Sequence, residues 1–224
     1  MNKITKIINK TQDLIIQEGW LNFLKNFFSI LFGFPATKVY LYRHTIIERD
    51  SNEFLPRLDD YEDCFLHDKH DLVKLESQVY DFSSRSKNIR MALDNEVIVF
   101  CVFVNKKLVH TGRLATTKRG KVFVDNLPFE VNFSQGEACT GSTWTLPEFR
   151  GKGLMKYGYY RRFELLRELG YQVTRNSVET SNIASQRVHE KFKPAIYAEA
   201  EFRKVLLFIK FWKEIPISWG KQLG

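Results

Sequence analysis

The residue types best suited to chemistry lie in a short basic loop in the second half of the chain. The sequence RGKGL at 150–154 follows a predicted strand that stops at Pro147 and precedes a predicted helix. Free backbone N–H groups at a helix start, the helix dipole and the close approach that glycine permits can hold a phosphate or pyrophosphate. Considered alone, the loop could also be a simple turn between a strand and a helix.

The patterns around this loop predict a sheet with helices on its faces. Runs of aromatic and β-branched residues predict strands over 38–46, 96–104, 107–117, 138–146 and 171–180. The two-residue connection Asn105-Lys106 predicts an antiparallel hairpin. Apolar residues at helical spacing predict helices over 71–82, 150–169 and 184–192. The acidic stretch 53–69 predicts an irregular connection, and Gly120 a turn into a further strand. We therefore expect an α/β (α+β) fold with a mixed, mostly antiparallel central sheet flanked by helices.

Composition predicts a folded protein and excludes only some classes of binding partner. Of the 224 residues, 44% are hydrophobic and 27% charged, which excludes a disordered or collagen-like chain. The net charge of +8 favours an anionic ligand, a membrane surface or a nucleic acid. Because the basic residues are dispersed and no zinc or base-stacking motif accompanies them, we expect no nucleic-acid partner. Three widely spaced cysteines fit free thiols, and we predict no bound metal.

The first 36 residues predict an N-terminal amphipathic helical extension, separate from a domain over 37–224. Apolar residues recur at helical spacing from Trp20 to Leu31, in a stretch too short and too polar for a transmembrane helix. This face could pack on the domain. With five lysines against two carboxylates in the first 38 residues, it could also lie on an anionic membrane surface. The start of the chain lacks a secretory signal pattern, so we expect a cytoplasmic protein, peripheral to the inner face of a membrane if the extension binds lipid.

Two motifs together make the sequence resemble the GNAT (GCN5-related N-acetyltransferase) family. The signature of that family is Arg or Gln, two residues, Gly, one residue, then Gly or Ala, after a strand ending in a proline-containing turn. The loop at 150–154 matches it. In the family's second block a strand leads to an Asn, a small residue three positions later and a short helix, and Asn182 and Ser185 match it. The resemblance covers about Lys38–Lys213.

The resemblance implies direct acyl transfer from acetyl-CoA or another acyl-coenzyme A to a primary amine. Both substrates would bind together, and the amine would attack the thioester without an acyl-enzyme. The strands over 138–146 and 171–180 would splay apart around the pantetheine arm, and backbone donors would stabilise the oxyanion. The residues implied to bind the donor are Trp144, Thr145, Leu146, Arg150, Gly151, Lys152, Gly153, Leu154, Met155, Asn182 and Ser185.

Three further residues are candidates for proton transfer. Many family members carry, seven positions after the Asn, a tyrosine that protonates the departing thiolate, and this position is His189 here. Imidazole can donate a proton near neutral pH, although a helix histidine can equally be a packing residue. The amine must lose a proton, and Glu137 at one strand start or Glu179 at the end of another could accept it. Either carboxylate could instead be a solvated strand-edge residue.

Departures from the family pattern leave two other functions open. Met155 stands where the signature usually has Gly or Ala, and Lys193-Pro194 replaces the usual Gly-Phe. Together with His189, these changes are compatible with a non-catalytic acyl-coenzyme A sensor or scaffold. The 19 phenylalanines could line a pocket for a longer acyl chain on a carrier-protein donor, or simply fill the core.

Overall fold

A computed structural model describes residues 36–205 and 209–217. In chain order these residues form β1 (Thr37–Thr45), β2 (Glu62–Leu66), α1 (Lys69–Ser77), α2 (Ser86–Leu93), β3 (Val97–Val104), β4 (Lys107–Ala115), α3 (Lys118–Val124), β5 (Glu137–Thr145), α4 (Leu154–Glu168), β6 (Val173–Glu179), α5 (Ile183–Glu190), β7 (Ala195–Val205) and β8 (Ile209–Pro216). Apart from residue 36, the predicted N-terminal extension and its membrane contact lie outside the described residues. Within the described residues, no helix is both long enough and apolar enough to span a membrane.

The chain divides into two compact units. In the larger, Val39–Glu199 with residues 215–217, the strand order is β2-β3-β4-β5-β6-β1, continued by the first residues of β7. In the smaller, which holds the described residues 36–38, 200–205 and 209–214, the rest of β7 is hydrogen-bonded to β8. From β2 to β1, only β5 and β6 run parallel. The sheet is therefore mixed and mostly antiparallel with helices packed on it, as the sequence predicts.

The parallel pairing of β5 with β6 is short, and the strands separate beyond it. Their pairing runs from Glu137 opposite Val173 to Cys139 opposite Arg175. Strand β5 continues to Thr145 and β6 to residue 179 without further pairing to each other in the described register. We call the gap that begins at Cys139 and Arg175 the β5–β6 opening.

A β-bulge bends β5 where this opening begins. Thr111 pairs with Trp144 and Arg113 with Gly141, so β5 carries one residue more than β4 over this interval. Ser142 lies in the bulge with a φ of 44°, a conformation uncommon outside glycine. Its hydroxyl donates to the carbonyl of residue 124 at 2.9 Å. Because a bulge bends a strand and increases its twist, it fits the departure of β5 from β6.

Helix α4 packs closely on β4. Its buried aromatic residues join an apolar cluster that includes Phe54, Phe100, Val102, Val109, Tyr157, Tyr159, Tyr160, Phe163 and Phe192. The closest approach is at Gly158, where a Cβ atom would lie 2.5 Å from Nε2 of His110. Since Nδ1 of His110 is hydrogen-bonded to Oγ1 of Thr145 at 2.8 Å, the ring has little freedom to move away.

Several elements differ from the sequence-based expectation. The stretch 53–69 contains β2, a short strand that pairs with β3 at the edge of the sheet, where charged residues are tolerated. The segment after Gly120 is not a strand but belongs to helix α3. Oγ1 of Thr117 accepts a hydrogen bond from the Gly120 amide at 3.0 Å, and this N-cap prevails over the β-branched pattern. Helix α1 ends at Ser77, before Val79 adopts a φ of 67°.

Replacing Gly158 by alanine tests the close contact between α4 and β4. Alanine normally stabilises a helix, but here its methyl group would overlap the ring of His110. We expect Gly158→Ala to lower the free energy of unfolding by about 1–3 kcal/mol in urea titrations. The exposed substitution Glu168→Ala on the same helix should leave stability nearly unchanged, and an equal loss in both variants would contradict the contact.

Candidate active site

The basic loop occupies the junction between β5 and α4. A short 3-10 turn, Pro147–Phe149, follows β5, and Gly153 is the N-cap of α4 with a φ of 84°. Gly151 also has a positive φ, of 76°, and both conformations favour glycine. A Cβ atom at Gly151 would meet nothing within 4 Å, so the space beside it is open. The first N–H groups of α4 have no acceptor inside the helix, which leaves donors for an anion.

Arg57 holds this loop from a distant part of the chain. Its Nη2 donates to the carbonyl of Gly151 at 2.6 Å, and its backbone N–H donates to the carbonyl of Lys152 at 2.8 Å. Because N–H and C=O point in opposite directions across a trans peptide bond, the amides of Lys152 and Gly153 are directed away from Arg57. No local sequence pattern singles out Arg57, since its role depends on a contact across 94 positions.

The cations of the loop make it a suitable anion site. Nε of Arg150 donates to the carbonyl of Thr145 at 3.3 Å, which ties its side chain to the end of β5. Nζ of Lys152 lies 4.9 Å from the ring centre of Phe149. With Arg57, three positive groups therefore surround the two glycines, and the residues present fit the pyrophosphate of an acyl-coenzyme A.

Met155 does not crowd this loop. Its side chain is partly buried and packs against the apolar cluster beneath α4, with Leu154 buried beside it. The departure from the family signature is therefore accommodated in the core.

The last residues of β5 lie half-buried beside the β5–β6 opening. The guanidinium carbon of Arg85 lies 4.6 Å from the centre of the Trp144 ring. Oγ1 of Thr145 is hydrogen-bonded to Nδ1 of His110. The amide of Leu146 donates to the carbonyl of Val109 at 2.9 Å. Successive side chains alternate between the two faces of a strand, so Trp144 and Thr145 belong to opposite sides of the sheet.

The Asn182 turn joins the end of β6 to α5. Oδ1 of Asn182 caps this helix by accepting from the amide of Ser185 at 3.1 Å. Nε2 of Gln186 donates to the carbonyls of Glu179 and Thr180, at 3.2 and 2.8 Å. These contacts show that Asn182 caps α5 and that Gln186 ties the helix to the end of β6.

His189 lies fully buried under the opening, in a chain of polar side chains. Its Nδ1 is 3.0 Å from Nε2 of His44, and its Nε2 is 3.3 Å from Nδ2 of Asn176. Burial lowers the pKa of His189 to about 3, and the charge of Arg162 acts in the same direction. A lowered pKa favours the neutral ring near pH 7, which argues against the predicted role of His189 as the general acid.

Unpaired polar atoms lie close to where the opening begins. Asn176 immediately follows Arg175, the last β6 residue paired with β5. Its Oδ1, like Nδ1 of His44, is buried and has no hydrogen-bond partner among the described residues. Buried polar groups are usually satisfied, and the interaction of the Asn176 side chain with His44, which raises the pKa of His44 against the larger effect of burial, can serve these atoms.

Glu137 lies at the closed end of the β5–β6 pair, away from the opening. Its carboxylate accepts two hydrogen bonds from Arg175, at 2.6 and 2.7 Å, and one from the backbone of Asn132 at 2.9 Å. Burial by itself would raise the pKa of Glu137, but these hydrogen bonds outweigh it and the pKa is lower than usual. The prediction of Glu137 as a base is corrected, because its oxygens are engaged in a structural ion pair.

Two other carboxylates lie along the opening. Glu179 is exposed at the end of β6, next to the Asn182 turn. Asp125 lies on the face opposite His189, where its Oδ2 accepts from Oγ of Ser177 at 2.5 Å and from the Ser177 amide at 3.3 Å. Of the predicted acids and bases, Glu179 is the one that is exposed to solvent.

Sequence comparison assigns the chain to a family. The sequence model of the Acetyltransferase (GNAT) family matches residues 57–193, more than half of the chain. The protein therefore belongs to the GNAT acetyltransferase family. No curated protein matches the sequence.

Several solved structures are similar to this chain at low sequence identity. The tandem GNAT protein from the clavulanic acid biosynthesis pathway has a TM-score of 0.51 and 10% identity, with 85% of this chain and 58% of that chain covered. A functionally unknown conserved protein from Staphylococcus epidermidis ATCC 12228 has a TM-score of 0.45 and 11% identity, with coverage of 79% and 64%. A putative GNAT acetyltransferase from Novosphingobium aromaticivorans DSM 12444 has a TM-score of 0.43 and 15% identity, with coverage of 74% and 63%. This chain spans less than two thirds of each.

The ion pair of Glu137 predicts a pH-dependent contribution to stability. A carboxylate with a lowered folded pKa stabilises fully above its unfolded pKa, about 4.3, and the stabilisation is lost as the pH falls through the folded value. We expect Glu137→Gln to lower the free energy of unfolding by about 1–3 kcal/mol at pH 7. The difference from the wild type should shrink in acid. A difference that is the same at pH 7 and pH 3 would contradict the pairing.

Proposed function

We propose that the protein transfers an acetyl group from acetyl-CoA to a primary amine. The observation that carries this proposal is that β5 borders the β5–β6 opening and then leads directly into the glycine-containing loop at 150–154. A single strand can thus align the thioester end and the pyrophosphate end of one extended ligand. The family membership supports the same donor.

The donor would be held mainly by backbone groups. The amides of Lys152, Gly153 and the first turn of α4 would bind the pyrophosphate, with Arg150 and Lys152 adding positive charge, while Arg57 holds the loop carbonyls on the other side. Beyond the bulge at Ser142, β5 no longer pairs with β6, so its free edge offers N–H and C=O groups to the pantetheine amides. Backbone donors on this edge would stabilise the oxyanion that forms at the thioester carbonyl.

The amine would approach as a neutral nucleophile. Its proton would pass to Glu179, directly or through a water molecule, because this carboxylate is exposed where β6 ends beside the opening. Much of the acceleration would come from holding amine and thioester together, which replaces a bimolecular encounter by a reaction within one complex.

Donor binding can be tested with a pair of glycine variants. Gly151→Glu places a carboxylate on the pyrophosphate loop, and Gly170→Glu makes the same change beyond the other end of α4. The two glycines have similar φ angles, 76° and 82°, and a Cβ atom at either meets nothing within 4 Å. The backbone strain of the two substitutions is therefore matched.

By calorimetry, we expect Gly151→Glu to weaken acetyl-CoA binding by roughly a hundredfold, because like charges brought together cost several kcal/mol. Gly170→Glu should bind like the wild type. Equal weakening in both variants, or no binding by the wild type, would refute the proposed site. Binding without coenzyme A release across a panel of amines would favour a non-catalytic sensor.

The role of Glu179 can be separated from donor binding. We expect Glu179→Gln to lower kcat by about a hundredfold, as is typical for loss of a general base, while KM for acetyl-CoA changes little. The activity of the variant should recover with rising pH, where more of the amine is already deprotonated. Glu168→Gln, on the exposed end of α4, is the control, and an unchanged kcat in Glu179→Gln would exclude this residue as the base.

A further inference from the structure

Arg162 is a buried cation that has no carboxylate partner among the residues the structure describes. The residue is fully buried, at 0% exposure. Nε donates to the carbonyl of Gly158 at 2.8 Å, and Nη1 donates to the carbonyls of Arg113 and Gly141 at 2.9 and 3.2 Å. Nη2 lies 3.4 Å from Oγ1 of Thr143. The guanidinium is thus held by neutral oxygen atoms alone.

These contacts place the charge beside the start of the β5–β6 opening. Cys139 is the last β5 residue paired with β6, and the guanidinium contacts Gly141 and Thr143, on either side of the bulge residue. Gly112 on β4 leaves space for the guanidinium, because a Cβ atom at this position would lie 2.7 Å from Cζ of Arg162. The position is therefore specific, because even a methyl group on β4 would displace the guanidinium.

The titratable groups that face Arg162 are uncharged. They are His44 on β1, His110 on β4, Cys139 on β5, Tyr159 on α4 and His189 on α5. Burial lowers the pKa of His110 and of His189 to about 3, and it raises the pKa of Tyr159 and of Cys139. The charges of Asp125 and Lys121 also shift the pKa of Cys139, in opposite directions. Asp125 is hydrogen-bonded to Ser177 on the other face of the sheet, so it is not a partner of Arg162.

A buried guanidinium without a counter-charge lowers the stability of the folded protein, so the presence of Arg162 at this position calls for an explanation. An ion removed from water is ordinarily paired with a counter-charge, since solvation is lost without compensation. In the described residues, the buried carboxylate of Glu137 is paired with Arg175. Arg162 has no such ion pair there, and the electron-rich ring face of Tyr159, whose centre lies 4.1 Å from the guanidinium carbon, takes the place of a counter-charge. The missing counter-charge would be supplied when an anion forms in the opening.

We infer that Arg162 stabilises the negative charge that develops on the coenzyme A sulfur as the thioester breaks. This inference rests on the proposed function. In that step the amine nitrogen forms a bond to the carbonyl carbon, the carbon–sulfur bond breaks, and its electron pair stays on sulfur. The amine proton goes to the base or to water. The thiolate leaves as an anion and takes its proton from solvent after release.

The burial and the lowered pKa of His189 support this route beside the position of Arg162. Its ring nitrogens face His44 and Asn176, so the position that carries a tyrosine in many relatives offers no acid with a suitable pKa. A fixed positive charge can replace proton donation, because an opposite charge nearby favours the ionised thiol. Arg162 would then stabilise the thiolate electrostatically without touching it, with the backbone of β5 between the two charges.

The test is the pKa of the coenzyme A thiol when it is bound. The thiolate is titrated by its ultraviolet absorbance with the protein in excess, and protein alone serves as the blank for its three cysteines. In the wild type we expect the bound thiol pKa to lie about one unit below that of free coenzyme A. Arg162→Met should remove this shift and lower kcat about tenfold or more, with a smaller change in KM for acetyl-CoA.

Two further variants separate the charge from the packing. Arg162→Lys keeps the charge but cannot make the same set of hydrogen bonds, so it should retain the lowered thiol pKa. A purely structural role would make it as defective as Arg162→Met. Arg167→Met removes an exposed charge from the same helix and should change neither quantity.

The wild-type titration decides the matter even if Arg162→Met does not fold. A bound thiol pKa equal to or above that of free coenzyme A would overturn the inference while leaving the proposed transfer intact. Failure of the wild type to bind coenzyme A would overturn the proposed function and this inference with it.

Discussion

The site depends on where the hydrogen bonds between β5 and β6 stop. Three paired positions, ending at Cys139 and Arg175, hold the strands together, and beyond them no ladder bonds join the two. A strand edge left unpaired inside a sheet must find other partners. The guanidinium of Arg162 satisfies part of this demand by donating to carbonyls on β4 and β5, and the hydroxyl of Ser142 in the bulge donates to the carbonyl of residue 124 at the end of α3. What remains is a stretch of β5 that is not paired with β6, which we propose binds the amides of an extended ligand.

The same strand connects this edge to the anion-binding loop. After Thr145 the chain makes one short turn and enters α4, so the loop and the opening are held in fixed relation by covalent geometry. Arg57 adds a second constraint by binding two loop carbonyls. Within the described residues, Arg57, Arg150 and Lys152 are exposed or half-buried at the loop, whereas the guanidinium of Arg162 is fully buried near the opening. We propose that the phosphates and the thiolate use these separate positive groups, because a phosphate is always charged and a thiolate forms only during the reaction.

Local patterns predicted much of the fold and the position of the glycine-containing loop before α4, because the information they need is local. The hairpin at Asn105-Lys106, the strand at 138–146 and the helix that follows Gly153 are each specified by neighbouring residues. Helix α3 was missed because one hydroxyl cap outweighed a β-branched pattern. The lowered pKa of His189 could not be predicted, since it depends on burial and on the charge of Arg162, which only the folded chain brings close. Arg57 and Arg162 were missed for the same reason. Their partners are backbone carbonyls far away in the sequence, and any residue type can supply a carbonyl.

The most direct test of the account is a crystal structure of the protein with coenzyme A. The account predicts the pantetheine arm between β5 and β6 beyond Cys139, hydrogen-bonded to the free edge of β5. It also predicts phosphate oxygens about 3 Å from the amide nitrogens of the loop at 151–154. A ligand bound with its phosphates elsewhere, or strands closed by continuous pairing past Arg175, would contradict it.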